Sequence, residues 1–83
     1  MMALYLDVIT PEKTLYSAPV MLVTIPGANG AFTILQQHAP IISILSQGEV
    51  RLVGQDGVER NFSCQNGVVE CKNDKVVVLI EKG

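Results

Sequence analysis

Apolar and polar residues alternate along most of this chain with a period of two, the spacing that sends successive side chains to opposite faces of a β-strand. Across residues 3–9, Leu4, Leu6 and Val8 fall on one face and Tyr5, Asp7 and Ile9 on the other. Thr10-Pro11-Glu12-Lys13 interrupts this strand, because proline has no N–H to give to a ladder. Residues 14–16 read as a short edge strand. Residues 20–25 are apolar on both faces apart from Thr24, so neither face of that strand is freely solvated. Pro26-Gly27-Ala28-Asn29-Gly30 is the densest turn cluster, with glycines free to take positive φ.

The pattern continues through a short strand at residues 32–35, a polar loop at 36–40 and an apolar stretch at 41–45. Residues 49–53 and 59–64 flank Gln55-Asp56-Gly57, a hairpin signal. Pairing Leu52 with Phe62 and Val50 with Cys64 matches apolar partners and predicts a three-residue loop at 56–58. Residues 68–72 and 75–80 flank Asn73-Asp74, a tight-turn pair. No stretch reads as a helix: residues 40–46 are β-branched and flanked by breakers. Short strands at this spacing predict an all-β sandwich or barrel, with residues 1–83 as one domain and no repeat, linker or low-complexity tract.

Composition narrows the class. With 83 residues, 48% hydrophobic and 17% charged, the chain is far from the signature of disorder. A domain this small has a high surface-to-volume ratio, which leaves apolar surface outside the core for a partner. A net charge of -2 and six scattered Lys and Arg residues give no stripe to track nucleic-acid phosphates and no polybasic membrane anchor. No apolar run approaches the ~20 residues that span a bilayer. The opening lacks a basic start and carries Asp7 and Pro11 where a signal peptide stays apolar, which makes the cytosol the default compartment.

Candidate chemistry is sparse. If Asn66-Gly67 forms a two-residue turn, Cys64 faces Val69 and Cys71 lies opposite Phe62, so the two cysteines do not meet and are read as buried, reduced thiols. Two cysteines and one distant histidine, His38, give no metal-ligand spacing. Ser43, Ser46 and Ser63 sit in no nucleophile elbow, and the acidic residues mostly flank turns. Gly27-Ala28-Asn29-Gly30 lacks the Lys-Ser/Thr ending and following helix of a phosphate loop. No catalytic residue, cofactor or metal is assigned. Two rival readings are kept: a lipoyl- or biotinyl-type carrier domain modified at Lys75, beside the Asn73-Asp74 turn, and a small β enzyme built around His38.

Three blocks carry a more specific signal. Leu6-Asp7-Val8-Ile9-Thr10-Pro11-Glu12-Lys13, followed by Leu15-Tyr16-Ser17, resembles the opening of the epsilon subunit of F-type ATP synthase, called delta in mitochondria. Ile25-Pro26-Gly27, Gly30, Phe32, Ile34-Leu35 and His38-Ala39-Pro40-Ile41, with Gly48 beyond, resemble that family's central block. Gly67-Val68-Val69-Glu70-Cys71 and Asn73-Asp74-Lys75-Val76-Val77-Val78-Leu79 resemble its closing strands.

The resemblance implies a two-sheet sandwich of about ten short strands without the family's helical C-terminal domain, and so without the inhibitory hairpin that domain supplies. It implies a non-catalytic central-stalk subunit, peripheral on the cytoplasmic face of the bacterial inner membrane. That subunit binds gamma and the c-subunit rotor ring and couples proton or sodium flow to ATP synthesis. Carried over by position, Thr10, His38, Ala39 and Ser43 lie toward gamma, and Gly27, Ala28, Asn29, Gly30 and Ala31 form the ring-facing loop. Relatives often carry acidic residues in that loop, whereas this chain has Asn29 and Ala31. His38 is read either as packing on gamma or as ordering its own loop through a hydrogen bond.

Overall fold

A computed structural model describes residues 3–81, and all regular structure among them is β. Eight strands follow in order: β1 (Leu4–Ile9), β2 (Thr14–Gly27), β3 (Gly30–Ile34), β4 (Ile41–Leu45), β5 (Gly48–Gly54), β6 (Glu59–Cys64), β7 (Asn66–Lys72) and β8 (Lys75–Glu81). The first half of β2 pairs with β1, which pairs with β8, then β7, then β4. The second half of β2 lies between β3 and β5, and β5 pairs with β6. Two layers therefore share one long strand, and a bridge from Gly27 to Leu45 ties them a second time.

Eight strands stand where about ten short ones were expected, and β2 accounts for one strand of the difference by fusing two of them. Its 14 residues absorb both the edge strand at 14–16 and the apolar run at 20–25. Pro19 does not break it, because there the strand is paired only with β1 and a missing N–H is tolerated on an open edge. Between Val20 and Leu22 the register against β5 shifts by one residue, so Met21 bulges out, 54% exposed. A bulge reverses which alternate residues face inward and bends the strand. Val20 is buried before it and Val23 and Ile25 after it, as the chain passes from one layer to the other.

The core fills the space between the layers. Leu4, Leu6, Val8, Leu45, Val69, Cys71, Val76, Val78 and Ile80 come from one sheet; Val23, Ile25, Ile34, Val50, Leu52 and Cys64 come from the other. Each large aliphatic side chain buried this way contributes roughly 1.5–3 kcal/mol relative to exposure.

Two local expectations need correction. In the β5–β6 hairpin, Val50 pairs with Phe62 and Leu52 with Arg60, two residues away from the predicted register. The three-residue loop is Gln55 to Gly57, not 56–58, because a loop of this kind ends in a left-handed residue and Gly57 takes φ 79. Asp56 Oδ1 accepts the Val58 N–H at 2.9 Å and closes the turn. A shift of two keeps every side chain on its face, so the core is unaffected. The second correction concerns Asn66-Gly67, which is no hairpin turn: both residues lie in β7, paired with Glu81 and Ile80 of β8. Gly67 is needed there for close packing, since a Cβ on it would collide with the Leu79 carbonyl. Both cysteines remain free and buried, as expected.

Candidate interaction surfaces

The outward face of the β1–β8–β7–β4 layer carries the strongest departure from a solvated surface. In β4, Ile41, Ser43 and Leu45 lean inward, while Ile42 and Ile44 point out, 73% and 68% exposed. Register places Ile44 beside Val68, Val68 beside Leu79, and Leu79 beside Ile9. This aliphatic row crosses four strands, a width of about 14 Å. The next row runs Ile42, Glu70, Val77 and Asp7. Charges gather beyond it: Lys75 Nζ lies 3.3 Å from Asp7 Oδ2 and 5.1 Å from the centre of the Tyr5 ring. The Tyr5 hydroxyl in turn meets Ser17 Oγ at 2.9 Å. An apolar stripe with a polar rim is the anatomy of a protein-binding face.

The family-derived positions distribute around this face and do not form one cluster. Thr10 caps the end of β1, its Oγ1 accepting the Lys13 and Glu12 N–H groups at 3.1 and 3.3 Å. It therefore orders its own turn, at the edge of a depression of about 460 Å³ that Glu12, Gln65 and Glu81 also line. His38 and Ala39 lie at the opposite end of the layer, in the loop before β4. The half-buried His38 ring holds its loop, with Nδ1 2.8 Å from the Ala39 carbonyl. Ser43 lies between these ends on the inward alternation of β4, its hydroxyl donating weakly to the Ile44 carbonyl at 3.4 Å. Ile42 and Ile44 were not singled out by the sequence, where an Ile-Ile-Ser-Ile-Leu run signals burial on both faces.

The second surface is the tip between β2 and β3. Ala28, Asn29, Gly30 and Ala31 are exposed and uncharged, while Gly27 is buried at the base. A Cβ on Gly27 would stand 2.7 Å from the Gly30 carbonyl and 2.9 Å from the Phe32 ring, and Gly30 takes φ 125. Glycine is required at both positions. The tip is not free to swing: Ala28 N–H donates to the Ile44 carbonyl at 2.9 Å and Ser46 N–H to the Pro26 carbonyl at 2.8 Å.

Reactive chemistry finds little support. Burial pushes both thiols above their ordinary range, with the Asp74 charge adding to the effect at Cys71, so they stay protonated and poorly nucleophilic. Among the described residues no group of three His, Cys, Asp or Glu side chains is placed to hold a metal. Lys75 is the first residue of β8 and is engaged with Asp7 and Tyr5, while the turn itself is Asn73-Asp74. A carrier lysine needs the free apex that Lys75 lacks.

Comparison with known proteins adds to this geometry. The family model for the ATP synthase, Delta/Epsilon chain, beta-sandwich domain matches residues 3–83. The ATP synthase epsilon chain of Paracoccus denitrificans is 42% identical over 77 residues, covering 93% of this chain and 52% of that one. The epsilon chain of Chlorobaculum tepidum is 38% identical over 80 residues, covering 96% and 91%. This chain thus spans about half the length of one relative and nearly all of the other. A chain from Euglena gracilis mitochondrial ATP synthase, solved as OSCP/F1/c-ring, matches with a TM-score of 0.90 at 16% identity, covering 96% of this chain and 51% of that one. One from the Tetrahymena thermophila mitochondrial central stalk and c-ring matches at 0.78 and 15% identity, covering 98% and 65%. At such identities the likeness is one of fold.

Proposed function

The chain belongs to the ATP synthase delta/epsilon family, whose β-sandwich domain it matches almost end to end, and from that premise we propose that it is a non-catalytic central-stalk subunit gripped on two sides. One grip is gamma, seated on the outer face of the β1–β8–β7–β4 layer. The other is the c-subunit rotor ring, met by the tip at residues 28–31. Held between them, the sandwich turns with both and couples ion flow to ATP synthesis. Its place is peripheral, at the cytoplasmic face of the bacterial inner membrane, reached through its partners. No helix among the described residues is long and apolar enough to cross a membrane.

The observation that carries this reading is the pair Ile42 and Ile44, exposed at the end of an aliphatic row on a sheet face. Two large aliphatic side chains this exposed, on one face and continuous with an aliphatic row, go beyond the scattered apolar residues normal on a surface. A partner that covers them removes that surface from water. The uncharged tip suits a different contact, one resting on backbone hydrogen bonds and shape. The structural neighbours come from assemblies that include the c-ring, which agrees with a ring-facing role.

Co-purification tests the proposal. Mixed with a gamma subunit, the chain is expected to elute as a one-to-one complex and to join a gamma–c-ring assembly in the same ratio. Failure to bind gamma at micromolar concentration sinks the stalk reading. Binding that is lost on tip substitutions and kept on Ile42 and Ile44 substitutions reverses the assignment of the two surfaces.

A further inference from the structure

Three residues other than glycine take left-handed backbone angles among the described residues: Gln37 (φ 67), Asn73 (φ 53) and Asp74 (φ 61). Gln37 and Asp74 meet at one contact, and Asn73 precedes Asp74 in the same turn. Asp74 Oδ1 accepts the Gln37 N–H at 2.6 Å, joining the loop before β4 to the β7–β8 turn across 37 residues of sequence. The Asp74 carbonyl accepts the Tyr5 N–H at 2.9 Å, which ties in the start of β1 as well. Asp74 is also the one buried polar or charged residue among the described residues, 8% exposed.

A turn alone does not account for that carboxylate. At a left-handed position in a two-residue turn, glycine is the unstrained choice. A buried charge is likewise unfavourable unless hydrogen-bonded. The feature that compensates for both is the short, charge-assisted bond to Gln37. Immediately after Gln37 the loop presents His38 and Ala39, with the His38 N–H turned back to the Leu35 carbonyl at 3.2 Å. We propose that Asp74 is a positioning residue: its carboxylate clamps the 36–40 loop and so sets how tightly this end of the sandwich holds gamma. The second half of this statement rests on the stalk reading above; the clamp itself does not.

Two substitutions separate the side chain from the backbone. Asp74→Gly relieves the left-handed φ and removes the acceptor, whereas Asp74→Asn keeps an oxygen acceptor and tolerates the same φ. Native-state amide exchange of the whole chain reads the clamp, and titration with gamma reads its consequence. In Asp74→Gly the Gln37 amide is expected to exchange at least about tenfold faster while β7 and β8 amides stay within about twofold. Gamma affinity is expected to fall about tenfold, as for losing the one hydrogen bond that holds the loop. Asp74→Asn is expected to restore both to within about threefold, a rescue that a general loss of stability does not give. Unchanged Gln37 exchange in Asp74→Gly overturns the clamp. Faster exchange with parental gamma affinity overturns its role in binding. If the parent chain binds no gamma, the stalk reading and that role fall together, and exchange still decides the clamp.

Discussion

Replacing Ile42 and Ile44 together by threonine perturbs the proposed gamma face without touching the core. About 70% of each side chain is in water in the free chain, at 73% and 68% exposure. Fully burying an isoleucine is worth roughly 1.5–3 kcal/mol, so covering the remaining exposed part yields about 1–2 kcal/mol each. Threonine keeps the β-branch and loses most of the hydrocarbon, so the pair forfeits about 2–4 kcal/mol of binding, or roughly 30- to 1000-fold in Kd. Stability responds much less, because both side chains point outward and threonine is itself a good strand former; a change within about 0.5 kcal/mol per site is expected. Titration calorimetry with gamma gives the first quantity and a urea midpoint the second. Arg51→Ala is the control on the opposite sheet: its exposed pair with Glu59, 3.0 Å apart, contributes at most about 1 kcal/mol to folding and nothing to gamma. A double variant that stays folded and binds gamma within about threefold of the parent refutes the assignment of this face, since that leaves under 1 kcal/mol for two isoleucines.

Three further outcomes follow from the fold. Gly67→Ala forces a Cβ against the Leu79 carbonyl and within 3.1 Å of the Ile80 Cα, so a loss of about 2–3 kcal/mol is expected in denaturant unfolding; a loss under about 0.5 kcal/mol contradicts the packing argument. The Val58 N–H holds the Asp56 carboxyl below its ordinary value of 3.8, outweighing the opposing effect of desolvation, and the Arg60 charge and hydrogen bond add smaller lowering effects. A lowered folded pKa contributes stability that is full above that ordinary value and lost as pH falls through the lowered one. The stability gap between the parent and Asp56→Asn, followed by urea midpoints, should therefore be flat above about pH 5 and shrink below about pH 4; a gap that widens on acidification reverses the sign. Ellman's reagent should leave Cys64 and Cys71 unmodified in the native chain and titrate both after unfolding, and rapid native labelling at pH 8 contradicts the raised thiol pKa values.

Faces were more legible in the sequence than partners. Leu4, Leu6 and Val8 show a clean period of two and are buried as that period requires. Residues 20–25 gave no single face because the Met21 bulge reverses the inward alternation midway, and no local pattern announces a bulge. Asn66-Gly67 has the composition of a hairpin turn, yet its glycine answers to Leu79, twelve residues along the chain. Turn composition records a need for a missing Cβ and does not say whether a tight turn or a neighbouring strand imposes it. Ile42 and Ile44 were hidden for a related reason, since apolar residues on both sides of a strand read as deep burial when no partner chain is in view. The family positions Thr10 and His38 were found through resemblance; their hydrogen bonds to their own turns rest on geometry that spacing does not encode.

A stalk subunit of the proposed kind must pass torque between two partners, so the stiffness of the path between its two surfaces matters as much as either contact. Here that path is short. The tip at residues 28–31 grows from β2, and the Ile42 and Ile44 face belongs to β4, in the other layer. The strands meet where Gly27 pairs with Leu45, with the Ala28–Ile44 and Ser46–Pro26 backbone bonds on either side. The carbonyl that anchors the tip is thus that of Ile44, whose side chain ends the aliphatic row of the proposed gamma contact. Gly27 allows this seam to close, because any side chain there would push the tip strands apart. Load entering at the tip would therefore have a direct route to the proposed gamma face along this hydrogen-bonded seam, without crossing the side-chain packing between the layers. Packed side chains yield by rotamer changes, whereas a hydrogen-bonded strand seam has no comparably soft coordinate. The long shared strand β2 then holds the far end of both layers in register, so the sandwich responds as one body when it is turned.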